Sequence, residues 1–251
     1  MPRRLGQHFL HRQDLLERLA IAACGEHASR VIEIGPGKGA LTHRLLPRTD
    51  ELHAIELDHN LIAYLNQQFG ADSRFHLHHA DVLTTDLSQW GAAVVVGNLP
   101  YYITSPIIEK FVLLDSQFPE AVFLMQKEVA DRVAASPGSR DYGFLSVQTQ
   151  LFCDVKQVCD VPPSAFSPPP KVDSAAIKLI RHANPPAQTQ SVLKFIGRCF
   201  AHKRKTLRNN LRPFYHSQTI DELPESRLRA EQLAIPQFIE LYNRLSSNPP
   251  T

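Results

Sequence analysis

Several features that mark whole classes of proteins are missing from this sequence. Its 251 residues include only 4 Cys, and none of these has the C-x-x-C spacing of a zinc site. We therefore expect free thiols, no disulfide framework and no metal centre, as in a reducing cytoplasm. The apolar runs at 92–96 and 121–125 are too short to cross a bilayer. The chain begins with basic residues, but the apolar stretch that would follow them in an export signal is missing. A cytoplasmic protein without membrane attachment is predicted.

An excess of one charge is missing as well. The formal net charge is +2, which neither requires nor excludes a nucleic-acid partner. The positive charges are nevertheless clustered, because residues 194–212 contain no Asp or Glu. The basic side chains of this segment are Lys194, Arg198, Lys203, Arg204, Lys205, Arg208 and Arg212. We predict that it binds a phosphate backbone, against the alternative of a solvated helix face.

Short apolar runs alternate with helical periodicity through the first two thirds of the chain. Strands are predicted, in chain order, at 31–34, 52–55, 75–77, 94–96, 121–125, 146–155 and 175–180. Stretches typical of helices, such as 41–46, 61–69 and 126–135, separate several of them. This alternation predicts an α/β fold with a Rossmann-like, mostly parallel sheet.

Proline marks two breaks late in the chain. Residues 162–174 are so rich in proline that they cannot form regular structure, and we expect a stiff loop at one wall of a site. The proline-containing break at 182–186 ends the strand pattern, and the sequence after it is typical of helices only. We therefore predict two domains, residues 1–184 and a small all-helical domain at 185–251.

A glycine-rich turn follows the strand predicted at 31–34. At Gly35 and Gly37 the backbone can pass close beneath a ligand, and the helix that follows offers free N–H groups. Glu56 comes about twenty residues later, the spacing at which a carboxylate reaches the ribose of a nucleoside cofactor. Asp81, after the third strand, is placed to accept a hydrogen bond from an adenine amine, although such an Asp is often only a turn former.

The same glycine turn is also compatible with a dinucleotide cofactor. Gly35-x-Gly37-x-x-Ala40 also satisfies the dinucleotide fingerprint. An NAD-linked oxidoreductase is therefore a rival on this motif alone.

The motif Asn98-Leu99-Pro100-Tyr101 follows the fourth strand and so lies at the same edge of the sheet. An adenine exocyclic amine is a poor nucleophile because its lone pair is delocalised into the ring. An amide oxygen of Asn98 together with the Leu99 carbonyl could accept its hydrogens and aim the lone pair. Pro100 fixes the turn, and the Tyr101 ring offers a surface on which a base can stack.

Taken together, the motifs resemble the ribosomal RNA adenine dimethyltransferase family in its bacterial small-subunit type. They are Arg4-Leu5-Gly6-Gln7-His8-Phe9-Leu10, Glu33-Ile34-Gly35-Pro36-Gly37, Asn98-Leu99-Pro100-Tyr101 and Phe166-Ser167-Pro168-Pro169-Pro170-Lys171-Val172-Asp173-Ser174. Two residues depart from the family pattern, since His8 and Tyr102 each stand where the family usually has Asn.

The resemblance implies a class I methyltransferase sheet and residue roles within it. S-adenosylmethionine is expected at His8, Leu10, Gly35, Gly37, Glu56, Asp81 and Asn98. Catalysis is expected from Asn98, Leu99, Pro100 and Tyr101, with Phe166 closing on the base from the side opposite Tyr101. RNA contacts are expected from Lys203, Arg204, Lys205 and Arg208.

The resemblance also implies the reaction. Methyl groups would pass from S-adenosylmethionine to the N6 amines of two adjacent adenosines near the 3′ end of 16S ribosomal RNA, giving dimethyladenosine during small-subunit biogenesis. A monomer acting on the small subunit or its precursor is expected. Two alternatives remain beside the oxidoreductase: a resistance-type methyltransferase acting on large-subunit RNA, and a non-catalytic RNA-binding assembly factor.

Overall fold

The computed structural model of the protein describes residues 7–184 and 188–246. Its strands are β1 (Phe9–Leu10), β2 (Ala28–Ile34), β3 (Thr49–Glu56), β4 (Phe75–His79), β5 (Val94–Asn98), β6 (Glu120–Gln126), β7 (Cys153–Val161), β8 (Phe166–Ser167) and β9 (Ser174–Arg181). Its α-helices are α1 (Gln13–Cys24), α2 (Thr42–Leu45), α3 (His59–Phe69), α4 (Thr104–Leu113), α5 (Lys127–Ala134), α6 (Phe144–Phe152), α7 (Thr189–Cys199), α8 (Leu207–Leu211), α9 (Ser217–Asp221) and α10 (Ile235–Ser246).

The described residues fall into two compact units. The first contains residues 7–130 and 153–181, and the second contains 131–152, 182–184 and 188–246. The second unit therefore takes in the segment 131–152 in addition to the C-terminal helices. The domain boundary predicted between residues 184 and 185 stays a prediction.

The first unit is built on a seven-stranded sheet in the order β4-β3-β2-β5-β6-β9-β7. The strands β4, β3, β2, β5 and β6 pair in parallel, and β9 and β7 add antiparallel pairs. The order reverses at β2, whose neighbours are β3 and β5, and ligands bind at such a switch point. The α/β, Rossmann-like fold predicted from the sequence is confirmed.

The strands at the switch point leave no room for a side chain at Gly97. Ile34 of β2 pairs with Gly97 of β5. A Cβ atom on Gly97 would lie 2.6 Å from the Ile34 carbonyl oxygen. Glycine is thus required for the two strands to stay in register up to their carboxyl ends.

The second unit is helical within its described residues. Buried aromatic side chains, including Phe195 and Phe238, form its core. The Tyr142 hydroxyl, which is also buried, donates a hydrogen bond to the Leu233 carbonyl at 3.0 Å. This bond ties the segment 131–152 to the C-terminal helices.

One strand prediction is wrong. Residues 146–152 lie in helix α6, and only 153–155 belong to a strand, β7. On a strand, Gln148 and Thr149 would point to opposite faces, yet both are buried on this helix together with Val147. Short runs of mixed β-branched and apolar residues do not distinguish a strand from a helix that is buried on several sides.

The described part of the chain contains no helix that is both long enough and apolar enough to cross a membrane. All four cysteines are buried free thiols.

Candidate active site

Two adjoining cavities lie at the carboxyl ends of β2, β3, β4 and β5. The larger has a volume of about 790 Å³, including space open to solvent, and the smaller about 450 Å³. The larger is lined by most of the predicted residues, namely His8, Leu10, Gly35, Gly37, Glu56, Asn98, Leu99, Pro100 and Tyr101. Asp81 lines the smaller cavity, and Gly35 and Glu56 line both. The parallel sheet therefore brings the predicted motifs together at one edge.

The glycine turn gives this edge an open backbone surface. Gly35 and Gly37 have φ angles of 67° and 59°, which favour glycine. A Cβ atom on Gly35 would meet only the Asn98 carbonyl oxygen, at 3.8 Å, so this backbone borders open space. A Cβ atom on Gly37 would lie 3.0 Å from the Phe9 ring. The turn can therefore receive a ligand at Gly35, while Phe9 packs against Gly37 in the same cavity.

Glu56 lies where the two cavities meet. Its carboxylate accepts hydrogen bonds from the Gly37 N–H at 3.2 Å and from the Asp58 N–H at 2.8 Å. Burial nevertheless raises the pKa of this carboxyl, and the bonds to backbone N–H groups oppose that rise. The side chain is thus fixed in place with lone pairs left over for hydroxyl donors.

Asp81 lies in the loop after β4. Its carboxylate accepts the Leu83 N–H at 2.8 Å, so the turn-forming role considered from the sequence is present. The side chain also lines the smaller cavity together with Val82 and Leu57. A turn former that borders a cavity can still present its second carboxylate oxygen to a ligand.

Asn98 is held by its amide nitrogen. Its Nδ2 donates to the carbonyl oxygen of His8 at 3.0 Å. A carbonyl can only accept, so this bond decides which end of the amide is nitrogen and which is oxygen. Among the described residues the Asn98 Oδ1 has no hydrogen-bond donor, and it is not enclosed in the protein. Asn98 therefore presents a fixed acceptor at the cavity.

His8 contacts both the proline-rich loop and Tyr101. Its Nδ1 lies 2.8 Å from the Pro168 carbonyl and must donate to it. Its ring stacks on that of Tyr101, with centroids 5.5 Å apart. The role expected for His8 thus rests on its backbone carbonyl and on the packing of its ring.

Tyr101 is fixed at its far end. Its hydroxyl shares a hydrogen bond of 2.7 Å with the Ser174 Oγ. Burial raises the pKa of Tyr101, so the phenol stays protonated at neutral pH. A ring held between His8 and Ser174 can serve as a stacking surface without moving.

Phe166 does not line either cavity. It lies in β8 opposite Leu10 of β1, and its side chain is buried with an exposure of 3%. The role of Phe166 as a second wall for a base stays a prediction, and it requires the ring to leave this core.

The basic residues of the second unit differ in their surroundings. Lys203, Arg204 and Lys205 are exposed and form no ion pair within the described residues. Arg208 instead forms a two-pronged ion pair with Asp221. We therefore expect only the first three side chains to be available to phosphate.

Several residues that line the larger cavity did not emerge as site residues from the sequence, and three of them bring a polar, aromatic or charged side chain from a recognised motif. These three are Gln7, Phe9 and Lys38. Gln7 and Phe9 belong to the motif that contains His8, and Lys38 lies inside the glycine turn. Position within a motif was the available signal, and side-chain type alone carried none.

Glu33 also lines the larger cavity, and its environment generates a prediction. Burial raises its pKa to about 8, while the hydrogen bond of 2.6 Å from the Thr42 hydroxyl opposes the rise. The folded state thus keeps a proton that the unfolded state loses above about pH 4.5. Stability should therefore fall as the pH rises from about 4.5 to about 8.

Glu33→Gln should remove this pH dependence. We expect the variant to gain on the order of 3 kcal/mol in free energy of unfolding relative to wild type at pH 8, and little at pH 4.5. Urea unfolding across this pH range measures the difference. Glu26→Gln, at an exposed position of the same unit, is the control. Parallel profiles for wild type and Glu33→Gln would contradict the prediction.

Known proteins resemble this chain over nearly its whole length. The sequence model of the ribosomal RNA adenine dimethylase family matches residues 2–247. The protein named ribosomal RNA small subunit methyltransferase A of Pseudomonas fluorescens is 42% identical over 255 residues, which cover 98% of this chain and 94% of that protein. Its namesake from Pseudomonas aeruginosa is also 42% identical, with coverage of 98% and 95%.

Solved structures agree with the fold. A dimethyladenosine transferase from Plasmodium falciparum superimposes with a TM-score of 0.84 at 27% identity, covering 96% of this chain and 98% of that one. The 23S rRNA methyltransferase ErmE gives a TM-score of 0.71 at 26% identity, with coverage of 95% and 99%. The fold is thus that of class I methyltransferases, and the chain belongs to the ribosomal RNA adenine dimethylase family.

Proposed function

We propose that the protein is an S-adenosylmethionine-dependent methyltransferase that dimethylates the N6 amines of two adjacent adenosines near the 3′ end of 16S ribosomal RNA. The observation that carries the proposal is the fixed amide of Asn98, whose oxygen faces a cavity bordered by the glycine turn. The small-subunit names of the relatives that are 42% identical support the choice of RNA.

The cavity residues fit S-adenosylmethionine. Gly35 offers backbone that a Cβ atom would otherwise cover, and Glu56 retains lone pairs for ribose hydroxyls. Asp81 borders the adjoining cavity, where an adenine amine could donate to it. When bound, S-adenosylmethionine supplies an electrophilic methyl group on a sulfonium. His8 and Leu10 would close the same cavity from the N-terminal side.

Catalysis would depend on orientation more than on a reactive side chain. Asn98 Oδ1 and the Leu99 carbonyl would accept the two hydrogens of the amine, which turns the lone pair toward the donor. The side chain of Leu99 is apolar, so only its backbone carbonyl could take part. The four cysteines are buried, and burial raises their thiol pKa values, so none is suited to act as a nucleophile.

The base would be held by stacking. Tyr101 provides a rigid aromatic surface, and Pro100 closes its turn by accepting the Thr104 hydroxyl at 3.1 Å. An adenine extruded from its stack could rest against this surface. If Phe166 leaves its core position, it would cover the opposite face.

The second unit would supply electrostatic affinity. Lys203, Arg204 and Lys205 form a compact positive group with no acidic partner among the described residues. Such a group attracts phosphates irrespective of sequence, while the cavity takes a single unstacked base. We propose that the protein acts in the cytoplasm as a monomer on the small subunit or its precursor, with domains 1–184 and 185–251 in these two roles.

A large-subunit substrate is the second candidate. It is favoured by the similarity to ErmE, although that similarity is weaker than the one to the dimethyladenosine transferase. The two candidates share the same chemistry at the cavity, so the RNA must be tested directly.

The identity of the product tests the function. Purified protein with labelled S-adenosylmethionine should place label in dimethyladenosine of unmethylated small subunits, and not in unmethylated large-subunit RNA. Nuclease digestion and separation of the nucleosides measure this outcome. Label confined to large-subunit RNA would transfer the assignment to the second candidate. Absence of label from both would leave a non-catalytic RNA-binding role.

Substitution at Asn98 tests the orientation of the amine. Asn98→Ala should lower kcat by about 100-fold, because the acceptor that aligns the amine is lost. Asn66→Ala, at an exposed position on α3, should leave kcat unchanged. Thermal unfolding and binding of S-adenosylhomocysteine verify that the fold and the cavity persist. Undiminished methylation by a folded Asn98→Ala protein would contradict the proposed role.

The positive group of Lys203, Arg204 and Lys205 should determine the salt dependence of RNA binding. Replacement of Lys203, Arg204 and Lys205 by Ala should reduce the slope of log Kd against log salt by about 2, since each phosphate contact contributes roughly 0.7–0.9. Arg208→Ala should leave this slope unchanged, because Arg208 is engaged with Asp221. An unchanged slope in the triple variant would refute the assignment.

A further inference from the structure

Lys38 is an exposed cation at the larger cavity. It lies in the glycine turn between β2 and α2 and is one of the residues that line this cavity. Its Nζ lies 5.0 Å from the centroid of the Phe9 ring, which lines the same cavity. Among the described residues no carboxylate forms an ion pair with Lys38. Its charge therefore remains available to a ligand.

The other charged groups of this cavity are already engaged. Glu33 is buried beneath the turn and accepts a hydrogen bond from Thr42, and burial keeps it protonated at neutral pH. Glu56 is held by two backbone N–H groups. Lys38 is thus the one lysine or arginine lining the larger cavity within the described residues. An unpaired cation beside a cavity is complementary to an anionic group of the ligand.

The order of the residues along the two cavities indicates which part of a ligand reaches Lys38. Asp81 borders only the smaller cavity, Glu56 borders both, and Lys38 borders only the larger. If Asp81 receives the adenine and Glu56 the ribose, as proposed above, the amino-acid part must extend into the larger cavity. That part carries the carboxylate, the anionic group of S-adenosylmethionine.

We propose that Lys38 binds the carboxylate of the amino-acid part of S-adenosylmethionine and so distinguishes the intact cofactor from analogues that lack this group. The inference rests on the proposed function. Phe9 assists by holding the lysine chain over its ring while packing against Gly37. Lys38 is in this respect a specificity-determining residue that takes no part in methyl transfer.

The test compares two ligands that differ only in the carboxylate. Binding of S-adenosylmethionine and of decarboxylated S-adenosylmethionine is measured by calorimetry in the absence of RNA. We expect Lys38→Gln to weaken binding of S-adenosylmethionine by about five- to tenfold and to leave binding of the decarboxylated compound unchanged. Lys38→Arg should restore most of the difference in affinity between the two ligands. High salt should diminish this difference in affinity in the wild-type protein, because the pair formed by Lys38 and the ligand carboxylate is exposed.

Lys156→Gln, at an exposed position on β7, is the matched control and should alter neither affinity. Equal weakening of both ligands by Lys38→Gln, or no weakening of either, would overturn the inference while the proposed function stands. So would unchanged ligand affinities with a raised KM for RNA, because Lys38 would then face a phosphate. Failure of the wild-type protein to bind either compound would refute the proposed function and this inference with it.

Discussion

The close approach of β2 and β5 is the constraint on which the cavity depends. The two strands stay paired to Gly97, where any side chain would collide with the Ile34 carbonyl. This pairing sets Gly35 and Asn98 side by side, so the open backbone and the fixed amide face the same space. A wider separation at this point would divide the glycine turn from the residues that follow β5.

The N-terminal segment then completes the wall that the sheet leaves open. β1 pairs with β8, and His8 bonds to Pro168, so the proline-rich loop holds this segment in place. In return, the His8 carbonyl fixes the orientation of Asn98. A chain of hydrogen bonds and ring contacts thus runs from the proline loop to the acceptor at the cavity. Without these contacts the Asn98 amide at the end of β5 could rotate, and with them it has one defined orientation.

The sequence was sufficient to predict features that follow from local rules. The glycine turn, Glu56, Asp81 and Asn98 could be assigned to one edge because parallel strands end together there. Contacts between distant segments could not be predicted, since no local pattern encodes them. The bond from Asn98 to His8 spans 90 residues, and the burial of Phe166 results from pairing with β1. Helix α6 was mistaken for a strand because its burial on several sides erased the helical pattern.

The basic segment 194–212 also shows that the sequence does not reveal which charged side chains are engaged in the fold. The segment 194–212 looked uniformly basic, yet the Arg198 guanidinium lies 4.3 Å from the Phe214 ring centroid, and Arg208 is paired with Asp221. The exposed cations that remain beside each other occupy the turn after α7. There the buried side chain of Asn210 donates to the carbonyls of Cys199 and His202. A buried amide that fixes the backbone of an exposed basic turn reduces the entropy lost when that turn meets phosphate. The positive field of this unit therefore depends on which cations are left unpaired on an ordered backbone, and the net charge of +2 gives no measure of it.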